Sequence, residues 1–183
     1  MSLDLKLAAY LDDAGDDPAI ACKTLLLSKV NYVVLRSAWG TNVCGLNDQT
    51  CGQLKKLFND NNLSTVALIS DIGKVPPLQL MKTPAEEIDR LFNLVSYFQA
   101  SMVRIDCGSK HDGNLNAVDE WMHFITERCI IANIVPLFEI THSSFIKEAP
   151  DVAKLLSRFK RWKLLYDPVQ LIIHKNLNPF AKY

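Results

Sequence analysis

Ile134-Val135-Pro136-Leu137-Phe138-Glu139 is five mostly apolar residues closed by a carboxylate, and Trp162-Lys163-Leu164-Leu165-Tyr166-Asp167 repeats the arrangement further along the chain. Short, nearly continuous apolar runs read as strands buried on both faces, which is the habit of parallel sheets. Each run delivers one acid where the strand should stop. A parallel barrel presents its chemistry in that way, from the C-terminal ends of several strands.

Working outward, further strand candidates begin near Leu5, Tyr32, Thr65 and Met102. Their spacing, about thirty residues, is that of a strand, a helix and two loops. Helical patterns fill the intervals. Asp17-Pro18 offers an N-cap followed by proline at the first helical position, opening a helix to about Lys29. Asn47 caps a second helix that Asn59-Asp60-Asn61-Asn62 ends with turn chemistry. Thr83-Pro84-Ala85-Glu86 is a capping box, and Ile88, Leu91, Phe92, Val95 and Phe98 recur after it at helical spacing. Residues 116 to 132 and 150 to 159 read as two more helices.

Two architectures suit this alternation, an open doubly wound sheet and a (β/α) barrel. A dinucleotide-binding sheet needs a glycine-rich turn after its first strand, whereas Asp12-Asp13-Ala14-Gly15-Asp16-Asp17 is acidic and would repel a pyrophosphate. Polar groups at several strand ends favour the barrel, where all such ends meet at one mouth.

Composition bounds the rest. With 183 residues, 49% of them apolar, the chain has the material for one core, and residues 1–183 read as a single domain. Twenty basic residues balance 20 acidic ones, so no global field favours nucleic acid or anionic lipid. No segment has the length of a membrane span, and Asp4, Asp12 and Asp13 interrupt any signal-like stretch, which implies a cytoplasmic location. Cys22, Cys44, Cys51, Cys107 and Cys129 are odd in number and lack zinc-site spacing, so they read as reduced thiols.

Glu139 and Asp167 together form a plausible oxygen-donor pair for a divalent cation such as magnesium, manganese, cobalt or zinc. The bland alternatives are an ion-paired glutamate and an aspartate serving an Asx-turn before Pro168. His142 and His174 could add nitrogen ligands, or be surface loop histidines. Arg36, Lys74 and Arg104 sit at or near earlier strand ends. Arg104 lies inside an apolar strand and therefore needs a carboxylate partner, either as an inner ion pair or as a cation that orients a hydroxylated or anionic substrate.

The run Leu35-Arg-Ser-Ala-Trp-Gly-Thr-Asn-Val43, the segment Ser70-Asp-Ile-Gly-Lys74, Val103-Arg-Ile105, and the endings Phe138-Glu139 and Tyr166-Asp-Pro168 resemble the sugar phosphate isomerase/epimerase group of the xylose isomerase-like TIM barrels. The resemblance runs from about Leu5 to the C-terminus. It implies a divalent metal held by a Glu ending strand five and an Asp ending strand six, to which Glu139 and Asp167 correspond, with a His and a second Glu on strands seven and eight. It implies proton transfer next to a sugar or sugar-phosphate carbonyl through an enediolate, with Glu139 as both metal ligand and acid/base. Arg36, Lys74, Arg104, His142 and Gln170 would then contact substrate.

There are departures from the pattern. Gln170 stands where many sugar epimerases carry histidine, and His142 lies three residues after Glu139 instead of two. On this reading the barrel is truncated after strand six, without the last two βα units, and three outcomes are open: a longer parent completes it, which is the expectation, another copy in a homo-oligomer completes it, or the fold settles as an open sheet. A catalytically silent barrel-fold binding protein is the alternative function. A DNA-repair branch akin to AP endonucleases ranks lower, because Asp71 and Asp106-Cys-Gly108 stand at strand ends where that branch carries histidine.

Overall fold

The computed structural model describes residues 7–109, 114–141, 143–146, 148–165 and 167. Strands and helices alternate as β1 (Ala8–Tyr10), α1 (Leu11–Ala14), α2 (Pro18–Leu27), β2 (Tyr32–Leu35), β3 (Ser37–Ala38), β4 (Thr41–Asn42), α3 (Asp48–Asp60), β5 (Ser64–Ile69), α4 (Ala85–Tyr97), β6 (Met102–Arg104), α5 (Leu115–Ile131), β7 (Val135–Glu139), α6 (Ala149–Arg158) and β8 (Lys163–Leu165). Short 3₁₀ turns cover Val43–Gly45 and Pro77–Lys82.

The main sheet has six strands in the order β1-β2-β5-β6-β7-β8, each beside its predecessor in the chain, while β3 and β4 form a separate antiparallel ribbon. The pairs β1–β2, β2–β5 and β7–β8 are parallel. A doubly wound sheet reverses its strand order at a switch point. The unreversed order here is that of a (β/α) barrel, as the sequence pattern led one to expect.

The chain divides into two compact units, Met1–Ser70 with Asp89–Val103, and Asp71–Ile88 with Arg104–Tyr183. In the first, Asp17 caps α2 by accepting from the backbone N–H groups of Ala19 and Ile20, and Asn47 caps α3 by accepting from Thr50 N at 2.8 Å. These are the orphan donors of a helix start, satisfied by the short polar residues the sequence supplies there. Leu25, Val33, Leu35, Leu54, Phe58 and Leu68 are buried in this unit. Arg90 of α4 reaches Asp48 and the Leu46 carbonyl.

In the second unit Asn114 caps α5, accepting from Ala117 N at 3.2 Å. Val118, Trp121, Met122, Ile125 and Cys129 line the buried face of that helix. Among the strands, β7 is buried from Pro136 onward, which fits its continuous apolar sequence.

Four helix-to-strand turns share one device. Lys29, Asn62, Gln99 and Asn133 all have positive φ, between 52° and 57°. The residue after each donates back to a carbonyl five positions earlier: Val30 to Leu25, Leu63 to Phe58, Ala100 to Val95 and Ile134 to Cys129. This is the Schellman closure, in which glycine is the usual left-handed residue.

None of the five cysteines is in a disulfide. Burial pushes the thiols of Cys22, Cys51, Cys107 and Cys129 up, that of Cys129 to about 12, which leaves little thiolate for oxidation or metal binding. Among the described residues, no helix is long and apolar enough to cross a membrane.

Candidate functional site

Alternation along β6 sets up the centre of the second unit. Val103 and Ile105 are fully buried, and Arg104 and Asp106, two residues apart, share the other side of the chain. Arg104 forms an ion pair with Asp106, and its Nη1 stands 3.2 Å from Oε2 of Glu139 at the end of β7. All three side chains are nearly sealed, at 5% exposure for Arg104 and 9% for each acid. The partner demanded by a cation in an apolar strand is therefore present twice over.

The backbone fixes these groups in place. Residues 72–75 run beside 106–109, with Asp106 N donating to Ile72 O, Gly108 N to Gly73 O and Ser109 N to Val75 O. Trp121 is fully buried and its indole N–H donates to the Asp106 carbonyl at 2.9 Å. Gly73, at φ +85°, lies so close that a Cβ would come within 1.9 Å of that same carbonyl oxygen. Only glycine can occupy that position without moving Asp106. On the β7 side the Ser144 hydroxyl donates to the Glu139 carbonyl and accepts from Thr141 N, bracing the strand end.

Burial dominates the electrostatics. It pushes the Glu139 carboxyl above its ordinary range; Arg104 opposes this, Asp106 and Asp167 add to it, and Lys74 opposes it more weakly. The carboxyl of Asp106 is likewise raised, first by burial, with Arg104 working against it. A single guanidinium shared by two desolvated acids does not offset the cost of ionising both.

The structure thus gathers Arg104 and Glu139 directly, and places Asp167 and Lys74 within electrostatic reach of Glu139. Lys74 is also paired with Asp71. Arg36 belongs to the first unit, where its Nε meets Asp12 at 2.8 Å, its Nη2 meets Asp13 at 2.7 Å, and its guanidinium lies over the Tyr10 ring. His142, Gln170 and His174 lie outside the described residues. Asp106, the second carboxylate paired with Arg104, is not among the residues that the sequence alone marks out. The signal was the i, i+2 placement of an Arg and an Asp on one strand.

Glu139 and Asp167 have the oxygen chemistry that suits a hard divalent ion. Among the described residues, however, no group of three or more His, Cys, Asp or Glu side chains could hold one. Oε2 of Glu139 already faces the Arg104 guanidinium. The described residues by themselves do not fit a resident metal.

The fold is that of the xylose isomerase-like TIM barrels, as similarity to solved structures shows. A xylose isomerase domain-containing protein from Salmonella typhimurium matches with a TM-score of 0.72 at 18% identity, over 96% of this chain and 65% of that one. A xylose isomerase-like TIM barrel protein from Mycobacterium smegmatis, solved in complex with magnesium, matches with a TM-score of 0.67 at 15% identity, over 92% of this chain and 66% of that one. The 3-keto-D-glucoside 4-epimerase of E. coli matches with a TM-score of 0.65 at 8% identity, over 87% and 66% of the two chains. This chain spans about two thirds of the length of these structures. Proteins described as a probable 3-DHS dehydratase and as a family 2 AP endonuclease share the fold too, so it hosts several chemistries. No family model matches the sequence, and neither does any curated protein.

Proposed function

We propose that the chain carries the proton-transfer part of a sugar or sugar-phosphate isomerase or epimerase, with Glu139 as the acid/base. One observation carries the reading: a glutamate closing a buried strand, its carboxyl desolvated and raised in proton affinity, yet held against a guanidinium. A proton next to a carbonyl is weakly acidic, and a base whose proton affinity lies above that of an ordinary carboxylate both accepts it and returns it more evenly. In the proposed step Glu139 takes the C–H proton, the C–H pair forms the C=C bond and the carbonyl π pair passes to oxygen, giving the enediolate; isomerisation returns the proton to the neighbouring carbon while the hydroxyl proton passes between the two oxygens, and epimerisation delivers a proton to the opposite face of the same carbon from a second acid. Arg104 orients Glu139, and Lys74 is a nearby cation for the developing oxyanion.

A divalent ion, magnesium, manganese, cobalt or zinc, belongs to this proposal through Glu139 and Asp167, with further ligands from outside the described residues. When bound it would supply charge for the enediolate oxygens. The proposed partner is a small sugar, in a cytoplasmic setting, with neither nucleic acid nor membrane involved. The alternative, a catalytically silent sugar-binding protein, draws support from the lack of a three-donor group among the described residues. A DNA-directed role has less support, given balanced charge.

The test is exchange of the C–H next to the carbonyl in a panel of ketoses and aldoses incubated in D₂O with manganese. Glu139→Gln is expected to slow exchange roughly 10²- to 10⁴-fold, the usual range for removing a general acid/base. Exchange at the parent rate in that variant would sink the assignment.

A further inference from the structure

The second unit holds a cavity that the proton-transfer reading does not use. Between α5, α6 and the segment after β7, Leu115, Phe145, Ile146 and Leu155 give a space of about 320 Å³ an apolar wall. Ile146 and Leu155 are buried, whereas Leu115 is 65% exposed, so part of that wall is apolar surface facing water. The wall is set by backbone contacts. Phe145 N donates to Gly108 O at 3.0 Å, and Ser144 next to it bridges to Ser109. The volume lies toward the lower end of small-molecule sites, roughly 300–1,000 Å³.

Four charged side chains complete the lining: Asp119, Asp151, Lys154 and Arg158. The signs balance, so the wall as a whole attracts neither a cation nor an anion, and the choice of ligand falls to short-range pairing. Arg158 Nη2 stands 2.6 Å from Asp119 Oδ1, and His123 faces the same carboxylate at 3.7 Å. Those groups satisfy one another. Asp151 and Lys154 lie three positions apart on α6, which makes their side chains neighbours on one face of the helix. Among the described residues, however, neither is in an ion pair, with the other or with a third group. One carboxylate and one ammonium therefore stand side by side at an apolar cavity, both with their charge uncommitted.

We propose that this cavity binds a free apolar α-amino acid, its side chain against Leu115, Phe145, Ile146 and Leu155, its carboxylate on Lys154 and its ammonium on Asp151. An α-amino acid carries both charges on one carbon, which suits two partners one helical turn apart. A simple acid or amine leaves one partner unmet, and so does the terminal residue of a peptide. Glycine has the charges but nothing for the wall.

Calorimetry with L-leucine, L-methionine and L-phenylalanine tests this site, and at least one should bind saturably. The amide and the N-acetyl derivative of that amino acid, each lacking one charge, should bind about tenfold more weakly, the worth of one charge-assisted hydrogen bond. Lys154→Met and Asp151→Asn should weaken the parent amino acid by a similar factor. Both residues are exposed on α6, so neither substitution disturbs the core. Binding of none of the three amino acids overturns the proposal. So does equal binding of the amide or the N-acetyl derivative, which would mark a peptide end or a singly charged ligand, equal binding of glycine, or undiminished binding in Lys154→Met. The inference is independent of Glu139. A protein that binds the amino acid but exchanges no proton fails the proton-transfer reading alone, and one that exchanges protons but binds no amino acid fails this inference alone.

Discussion

Each unit of this protein ties one arginine to two carboxylates, and the two clusters share little else. Arg36 with Asp12 and Asp13 is open, its side chain 40% exposed and Asp13 63%. Arg104 with Asp106 and Glu139 is closed, none of the three above 9%. In the open cluster burial lowers the proton affinity of Arg36, but the hydrogen bonds and charges of the two aspartates outweigh it and hold the group above its ordinary value. In the closed cluster burial wins, and both acids are raised. The same three charges stabilise a surface in one place and create proton-binding groups in the other, and solvent makes the difference.

The largest effect should come from the closed cluster. Arg104→Ala strands two buried acids side by side and should cost about 3–5 kcal/mol in urea unfolding. A loss under 1 kcal/mol would mean that the acids are solvated and the contrast is false. A smaller effect concerns pH. Because the folded protein holds a proton on Asp106 more tightly than the unfolded chain does, its stabilising contribution is full below the ordinary value of 3.8 and is lost as pH rises through the raised folded value. Asp106→Asn should therefore flatten the fall in stability on leaving acid pH, and an unchanged thermal-melt pH profile would contradict the assignment. Smallest is Arg36→Ala. As a largely exposed cluster of one arginine and two aspartates it should cost no more than about 1 kcal/mol, shrinking with added salt. A salt-independent loss would show that this cluster is less open than its exposure implies.

The (β/α) pattern was legible because the strands of the main sheet announce themselves by apolar runs, and α2 and α3 by the polar residues that cap them. Asp17, Asn47 and the Asn59–Asn62 stop all act as their chemistry suggests. Glu139 was legible for the same reason, as an acid closing an apolar run, and Arg104 declared its need for a partner. What was not legible depends on contacts between distant residues. Gly73 matters because a carbonyl 33 positions later lies where its side chain would be, and nothing local to Ser70–Lys74 says so. The β3–β4 ribbon escaped notice because Trp39-Gly40 lacks the Asn-Gly or Asp-Gly signature of its turn.

The four left-handed turn residues have a consequence for the protein's evolution. Gly at Lys29 or Gln99 would relieve backbone strain on the order of 1 kcal/mol, with Asn62 and Asn133 gaining less because asparagine tolerates this conformation. The chain thus holds unspent stability at turns that are separate from Glu139 and from Lys154. A lineage under pressure to change its chemistry could draw on these positions first, offsetting destabilising changes at a strand end with a glycine at the opposite end of the repeat.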